Sequence, residues 1–266
     1  MRRLNLFAKG NVDVHDSLHS CAIGGRICWN GVNEHMRQRH PGTLIRLKHE
    51  TWTRSDGLLA ADGQVPAEVA ARSLALGSYP AASQFSAALF ESDADAFVMS
   101  ILPDTATRMF RHRRDGFLFH PNDAKDWSDA DRDWLRAEFD DLGLLSVEAS
   151  VANIEQIIER IQARTEAPIL IYNMSPIVPR ETVYSYIGLG EIYSTRVKRF
   201  NLALIELSER TGVSVVDVDG LLARAGADRL KHDVMHLAPE AYELISAEVV
   251  RILEDMGLFD VEEDAG

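Results

Sequence analysis

Three features of the sequence predict an α/β fold on a parallel sheet. Short apolar runs of strand length alternate with longer segments of helical period. Two of the runs, 96–102 (AFVMSIL) and 168–172 (PILIY), are apolar almost throughout, as strands buried on both faces are. No internal repeat, low-complexity tract or Pro/Ser-rich linker divides the 266 residues.

The first strand begins near Leu4. From there Leu4, Leu6, Ala8, Gly10, Val12 and Val14 alternate with Asn5, Phe7, Lys9, Asn11, Asp13 and His15. Gly10-Asn11 bends or interrupts the run. A helix over 32–39 stops at His40-Pro41-Gly42, and a second strand runs from Leu44 to about Lys48. Helices are predicted at 67–75 and 83–90, within a Gly- and Ala-rich stretch. The strand at 96–102 stops at Pro103-Asp104. The polar connection 104–150 carries an aromatic-bearing helix near 129–140 and reads as an insertion or lid. In 152–164, Ile154, Ile157, Ile158 and Ile161 share one helical face. The strand 168–172 leads into a loop with Asn173, Pro176 and Pro179. The helix 196–210 turns Phe200, Leu204 and Leu207 inward and is capped by Gly212, after which 213–218 is the last strand. The closing helix runs from Pro239 to Met256 and ends at Gly257. One domain over 1–259, with the lid at 104–150 and an acidic tail at 260–266, accommodates these elements. A chain of that size buries a core without staples.

Composition narrows the function. Hydrophobic residues make up 46% and charged residues 26%, which excludes a disordered or collagen-like chain. A net charge of −13 opposes wrapping of nucleic acid or of anionic membrane. Part of that excess sits in Glu254, Asp255, Asp260, Glu262, Glu263 and Asp264, which favour solubility. Cys21 and Cys28 form neither a disulfide framework nor a zinc spacing and fit a reducing compartment. No run has the length of a membrane span or of a signal peptide's apolar core. A soluble, cytoplasmic protein is expected.

The segment 231–244, KHDVMHLAPEAYEL, carries the most chemistry. Asp233 stands three residues before His236, in a loop between the last strand and the last helix. A carboxylate beside an imidazole fixes its tautomer and stabilises the imidazolium formed when it takes a proton. Pro239 just inside the helix start anchors the loop, because its missing N–H costs nothing there.

The pattern Asp-x-x-His-Leu-x-Pro-x-x-Tyr, filled by Asp233, His236, Leu237, Pro239 and Tyr242, resembles the last block of SGNH, or GDSL-type, hydrolases. The preceding helix with Phe200 to Leu204, the Gly212-Val213 turn, the strand ending Val216-Asp217-Val218 and the pair Ile169 to Pro176 follow the same order. The resemblance covers about 153–257. It implies a three-layer α/β/α sandwich with a parallel, flavodoxin-like sheet. It also implies an esterase, lipase or thioesterase activity on an acyl ester or thioester, with no cofactor. In such enzymes the Asp and His complete a catalytic triad with a serine near the first strand.

Two alignments compete for that serine. Either Gly10-Asn11-Val12 fills the Gly-Asp-Ser positions, and the nucleophile slot holds Val12. Or Asp16-Ser17-Leu18 is the match, and Ser17 is the attacking hydroxyl. The second is preferred, because it explains the Asp-Ser-Leu triplet and leaves enough chain for a crossover to strand two. A helix N-cap is the alternative role for Ser17. The glycine that follows strand two in the family is missing here until Gly57, and 100–104 (SILPD) lacks the asparagine that follows strand three. Asn11 and Asn173 are candidate substitutes for the oxyanion donors; each also fits an ordinary turn.

Other clusters compete less well. His15 and His19, with Asp13 and with His49 or His120, offer metal donors, but no metal is expected there. Arg111 and Arg114, within 108–114 (RMFRHRR), are candidates to grip an anionic substrate, and they also fit a solvated face. Gly24-Gly25 lacks the setting of a phosphate loop. Trp29, Trp52, Trp127 and Trp134 read as core or lid packing. Three functions follow: a serine esterase, an acyltransferase on the same triad, or a catalytically degenerate member that binds a ligand or partner.

Overall fold

The computed structural model describes residues 1–177, 190–233 and 235–260. Pro179 and positions 261–266 of the acidic tail lie outside the described residues. The chain folds into two compact units. One comprises Met1–His49, Asp93–Ile101 and Glu166–Gly266; the other comprises Glu50–Ser92 and Leu102–Thr165. The segment 104–150 falls in the second unit, together with Glu50–Ser92.

In the first unit a five-stranded sheet is formed by β1 (Arg2–Lys9), β2 (Thr43–Glu50), β3 (Ala96–Ser100), β4 (Ile169–Tyr172) and β5 (Ser214–Val216). Their order across the sheet is β2-β1-β3-β4-β5. This is the doubly wound order in which ligands bind beyond the carboxyl ends of the strands. The pairs β1–β3, β3–β4 and β4–β5 are parallel, with Leu6 opposite Ala96, Phe97 opposite Ile169 and Val215 opposite Ile171. The unit's helices are α1 (Val12–Leu18), α2 (Asn33–Arg39), α3 (Tyr193–Thr211), α4 (Val218–Ala225) and α5 (Pro239–Asp255), with a single turn at Ala227–Leu230.

Period-two burial explains the layering. Leu4, Leu6 and Ala8 of β1 join Ala96, Val98, Leu170, Tyr172 and Val216 in one apolar cluster. Onto it pack Val14 of α1, Met36 of α2, Leu222 of α4, and Ile245 and Val249 of α5. The opposite-facing residues Phe7, Phe97, Met99, Ile169 and Ile171 are buried too, as are Val197, Phe200, Leu204 and Leu207 of α3, all outside that cluster. Helices therefore cover both faces of the sheet, and the three-layer α/β/α sandwich is confirmed. Among the described residues, no helix is long and apolar enough to cross a membrane.

Two sequence expectations change, and one element is added. The alternation from Leu4 to Val14 breaks at Gly10-Asn11, as those two residues indicated, and does not resume as a strand. β1 ends at Lys9 and α1 begins at Val12, so Val14 and Leu18 share a helical face instead. The segment Cys21–Trp29 forms a two-stranded hairpin. Its Gly24-Gly25 turn has φ of +57° and +80°, the conformation that primed hairpin turns demand and that glycine adopts without steric cost. The helices expected at 67–75 and 83–90 are single turns, Ala67–Ala70, Ala81–Gln84 and Ala88–Glu91. The first two of these turns begin directly after Pro66 and Pro80.

The second unit holds a three-stranded antiparallel sheet of Leu118–Phe119, Phe110–His112 and Phe139–Asp141. The helices Asp129–Glu138 and Val147–Gln162 also belong to it, the latter burying Ile154, Ile157, Ile158 and Ile161 as its pattern foretold. Trp127 and Trp134 lie in an aromatic core with Phe85, Phe119 and Phe139. Asp104 is fully buried in this unit and accepts the Ser55 N–H at 2.7 Å and the Ser150 hydroxyl at 2.5 Å. Burial pushes its carboxyl up to about 6 against the pull of those bonds.

Candidate active site

The chain leaves β1 through Gly10, and Asn11 stands at the N-cap of α1 without a capping bond from its side chain. A Cβ on Gly10 would overlap the Val14 side chain, so only glycine fits this strand-to-helix turn. His49 Nε2 donates to the Gly10 carbonyl at 2.9 Å. The first residue of α1 is Val12. This is the place of the Gly-Asp-Ser triplet in the first of the two alignments, and Gly10-Asn11-Val12 occupies it.

Ser17 lies elsewhere. It sits in the last turn of α1, fully buried, and is not a helix N-cap. Its hydroxyl donates back to the Asp13 carbonyl at 2.7 Å, with Val14 O at 3.2 Å, and the Tyr172 hydroxyl is 3.1 Å away. Trp29 Nε1 closes over it by donating to the Ser17 carbonyl at 2.8 Å. Below it the Asp13 carboxylate takes the Ser100 hydroxyl. Burial raises the Asp13 carboxyl above its ordinary range, although the Ser100 bond opposes the shift. The expectation that Ser17 presents an attacking hydroxyl meets this geometry. A residue five positions into a short helix, on its inner face, points into the core rather than to a substrate. The helix start was legible in Gly10-Asn11 followed by Asp13, a cap residue with an acid in the first turn.

Asp233 and His236 are brought together. Asp233 Oδ1 accepts the N–H groups of Met235 and His236, each at 2.8 Å. The imidazole Nδ1 lies 2.8 Å from Asp233 Oδ2 and 3.0 Å from Oδ1. Partial burial works against the Asp233 charge. The two N–H groups and the imidazole outweigh it and hold the carboxyl below its ordinary range. An anionic carboxylate there keeps the proton on Nδ1 and leaves Nε2 as a base. Nε2 makes no hydrogen bond among the described residues, and the His236 side chain is 59% exposed.

Several bonds fix the loop that carries this dyad. Lys231, itself buried, donates from Nζ to the Ser175 carbonyl at 2.6 Å, just beyond the end of β4. Lys231 and Leu237 form an antiparallel bridge across the loop, and His232 N–H reaches His236 O at 2.9 Å. The Tyr242 hydroxyl accepts from Leu237 N at 3.3 Å, and Pro239 opens α5. The loop therefore lies at the carboxyl edge of the sheet, and α5 packs against α1.

Of the oxyanion candidates, Asn173 has its amide committed. Nδ2 donates to Asp217 at 2.8 Å and Oδ1 accepts from Asp219 N at 3.0 Å, which ties β4 to the start of α4. Asn11 is buried beside Val12. The arginine candidates belong to the second unit. Arg111 is exposed on its sheet, and Arg114 is paired with Glu68 and with Asp115.

The imidazoles of His15, His19 and His49 gather near α1, His15 stacking on His19 and meeting His49 edge-on, both at 5.0 Å. His15 Nδ1 is bonded to Asp16 at 2.8 Å and His49 Nε2 to Gly10, so the nitrogens do not converge on one point. Burial pushes the His49 imidazole down to about 4, and the neighbouring His15 and His19 add to it against the Gly10 bond. Its folded-state value lies below the unfolded one. Stability is therefore complete above about pH 6.5 and is lost as pH falls towards 4, by about 3 kcal/mol. His49→Gln keeps a donor for Gly10 and is expected to remove that loss. Urea unfolding at pH 7 and pH 4.5 measures it, and equal losses in both proteins would show that His49 is not the group responsible.

Neither a protein-family model nor a curated protein matches this sequence. Solved structures do match it over nearly its whole length. An acetylxylan esterase from Geobacillus stearothermophilus superimposes with a TM-score of 0.55 at 9% identity, over 97% of this chain and 95% of that one. An alpha/beta hydrolase enzyme from the metagenome of Lake Arreo, Spain, gives 0.51 at 14% identity, over 97% of both chains. A protein assigned as a GDSL-like lipase from Parabacteroides merdae gives 0.51 at 10% identity, also over 97% of both. The fold is that of the SGNH, or GDSL-type, hydrolases, as the last sequence block implied. At these identities the likeness establishes the fold and not the activity.

Proposed function

We propose that the chain hydrolyses an acyl ester, with His236 as general base held by Asp233. The observation that carries this reading is the imidazole gripped through Nδ1 by a doubly hydrogen-bonded carboxylate, with Nε2 open to solvent. The shared fold supports it, since one neighbour is an acetylxylan esterase and another a lipase/acylhydrolase from Enterococcus faecalis. A catalytic mutant of that esterase replaces a serine by alanine. Here the residue at the start of α1 is Val12, which has no hydroxyl, and Ser17 is buried behind it. His236 therefore takes its proton from water, and the resulting hydroxide adds to the ester carbonyl. The tetrahedral intermediate then expels the alcohol, which receives the proton from the imidazolium. Asn11, at the N-cap beside Val12, is the residue we assign to the developing oxyanion. An alcohol or amine in place of water would turn the same chemistry into acyl transfer.

Turnover of p-nitrophenyl acetate, combined with labelling by a fluorophosphonate, tests the route. We expect hydrolysis by the wild type, no label on Ser17, and activity in Ser17→Ala within a few-fold of wild type. A label on Ser17 together with loss of turnover in Ser17→Ala would restore the covalent Ser17-His236-Asp233 triad. Failure of the folded protein to turn over any acyl ester would leave a binding protein on a hydrolase fold.

A further inference from the structure

Beyond the hydrolase site, the geometry points to a binding site for a divalent transition-metal ion in the second unit, built on His112 and Glu68 with Asp115 and Glu138 beside them. His112 lies on the strand Phe110–His112, and its side chain is fully buried. Its ring is clamped, stacked on Phe117 at 4.6 Å and meeting Phe139 edge-on at 5.0 Å. The ring therefore has one orientation. In it Nε2 is buried and makes no hydrogen bond among the described residues. A buried polar atom left so is costly, which asks for a partner.

Nε2 is aimed at carboxylates. Glu68 Oε2 is 3.4 Å away and Glu138 Oε2 is 4.0 Å away. The first distance is too long for a good N–H···O bond. It equals the edge between two donors of a tetrahedral ion, since ligands about 2.0–2.1 Å from zinc stand roughly 3.3–3.4 Å apart. One donor atom from each of Glu68, His112 and Asp115 lies within 4.8 Å of the others. Asp115 Oδ2 stands 3.2 Å from Nδ1 on the far side of the ring. A carboxylate there holds the proton on Nδ1 and frees Nε2 for a metal, the usual second partner of a metal-bound imidazole. That tautomer would replace the present contact, in which the Asp115 N–H donates to Nδ1 at 3.1 Å. Trp134 Nε1 also stands 3.4 Å from Glu68 Oε2.

The site opens on a cleft of about 520 Å³ lined by Glu68, Ala71, Arg72, Arg114, Trp134 and Glu138. Exchangeable water or a ligand group has room to complete the coordination. One nitrogen with carboxylate oxygens suits Zn²⁺, Co²⁺ or Mn²⁺ better than Ca²⁺ or Mg²⁺. Arg114 is the competitor. Its guanidinium pairs with Glu68 and reaches Asp115 at 3.4 Å, but its side chain is 68% exposed and swings out without a packing cost. Arginine at this place sets a positive charge where the ion binds, and it makes affinity adjustable.

Calorimetric titration of the chelator-stripped full chain with Zn²⁺, and visible absorption with Co²⁺, test the site. We expect one ion per chain, an intense Co²⁺ spectrum of tetrahedral type, and loss of both in His112→Ala. Glu68→Gln, at the partly exposed donor, decides the matter should His112→Ala fail to fold, and it too is expected to lose binding. Asp115→Asn should weaken binding by about 10- to 100-fold, and Arg114→Ala should tighten it. The absence of saturable binding overturns the proposal. So does binding that survives in Glu68→Gln but is lost in His15→Ala, which would move the ion to the histidines near α1.

Discussion

Replacing His236 by alanine is expected to lower kcat/KM for an activated acetyl ester by about 100- to 10,000-fold, the range general-base catalysis contributes. Asp233→Asn should lose a similar amount by a different route. The amide would still accept from the N–H groups of Met235 and His236, but its NH₂ would face Nδ1. That favours the proton on Nε2, the nitrogen that has to accept one. Both side chains are more than half exposed, so neither change empties a core position, and circular dichroism should show both variants folded. Wild-type turnover in both variants would remove the dyad from the reaction altogether.

Asp104→Asn is expected to change how the second unit's stability depends on pH. In the folded state its carboxyl is raised to about 6, so the folded protein binds the proton more tightly than the unfolded chain does. The sign follows from linkage. Stability is complete below the unfolded value of 3.8, falls as pH rises, and is lower by about 3 kcal/mol above pH 6. Asparagine satisfies the same partners without a charge. Its oxygen accepts from Ser55, and its NH₂ donates to the Ser150 hydroxyl. The variant should therefore be the more stable protein at pH 7, with the difference vanishing near pH 4. Urea unfolding of both proteins across this range measures it, and parallel pH dependences would exclude Asp104 as the source. His49 acts with the opposite sign in the same window, so the comparison has to be between variants rather than along one wild-type curve.

Much of the frame was legible before the fold was known, because burial leaves a period in the chain. The runs 96–102 and 168–172 became β3 and β4 at the centre of the sheet, where both faces are covered. Ile154, Ile157, Ile158 and Ile161 announced their helix, and Pro239 and Gly257 bracket the last one. Asp233 and His236 were readable because they stand three positions apart within one loop. Local spacing alone brings such a pair into contact, whatever the rest of the chain does.

The first helix was misread for an equally physical reason. Val12, Val14 and the residues before them satisfy a period of two, and Val14 with Leu18 satisfies the helical spacing as well. Over so few residues the two periods cannot be told apart. Ser17 was preferred for the Asp-Ser-Leu triplet and for the chain it leaves to reach the second strand, and neither feature says which face of a helix a residue occupies. The hairpin Cys21–Trp29 was signalled by Gly24-Gly25, but its strands are mostly exposed and lack the apolar alternation of a buried pair.

What the sequence determined by itself is therefore the parallel α/β frame, the resemblance in the last block and the Asp233–His236 dyad, since each rests on residues near one another in the chain. Tertiary structure alone decided the surroundings of the other groups. It sealed Ser17 under Tyr172 and Trp29, which lie 155 and 12 positions along the chain. It spent Asn173 on Asp217, 44 positions away. It also set His112 against Glu68 from separate elements. Burial and long-range hydrogen bonding are properties of the packed chain, and no local pattern of residue types encodes which hydroxyl, amide or imidazole will be left facing solvent.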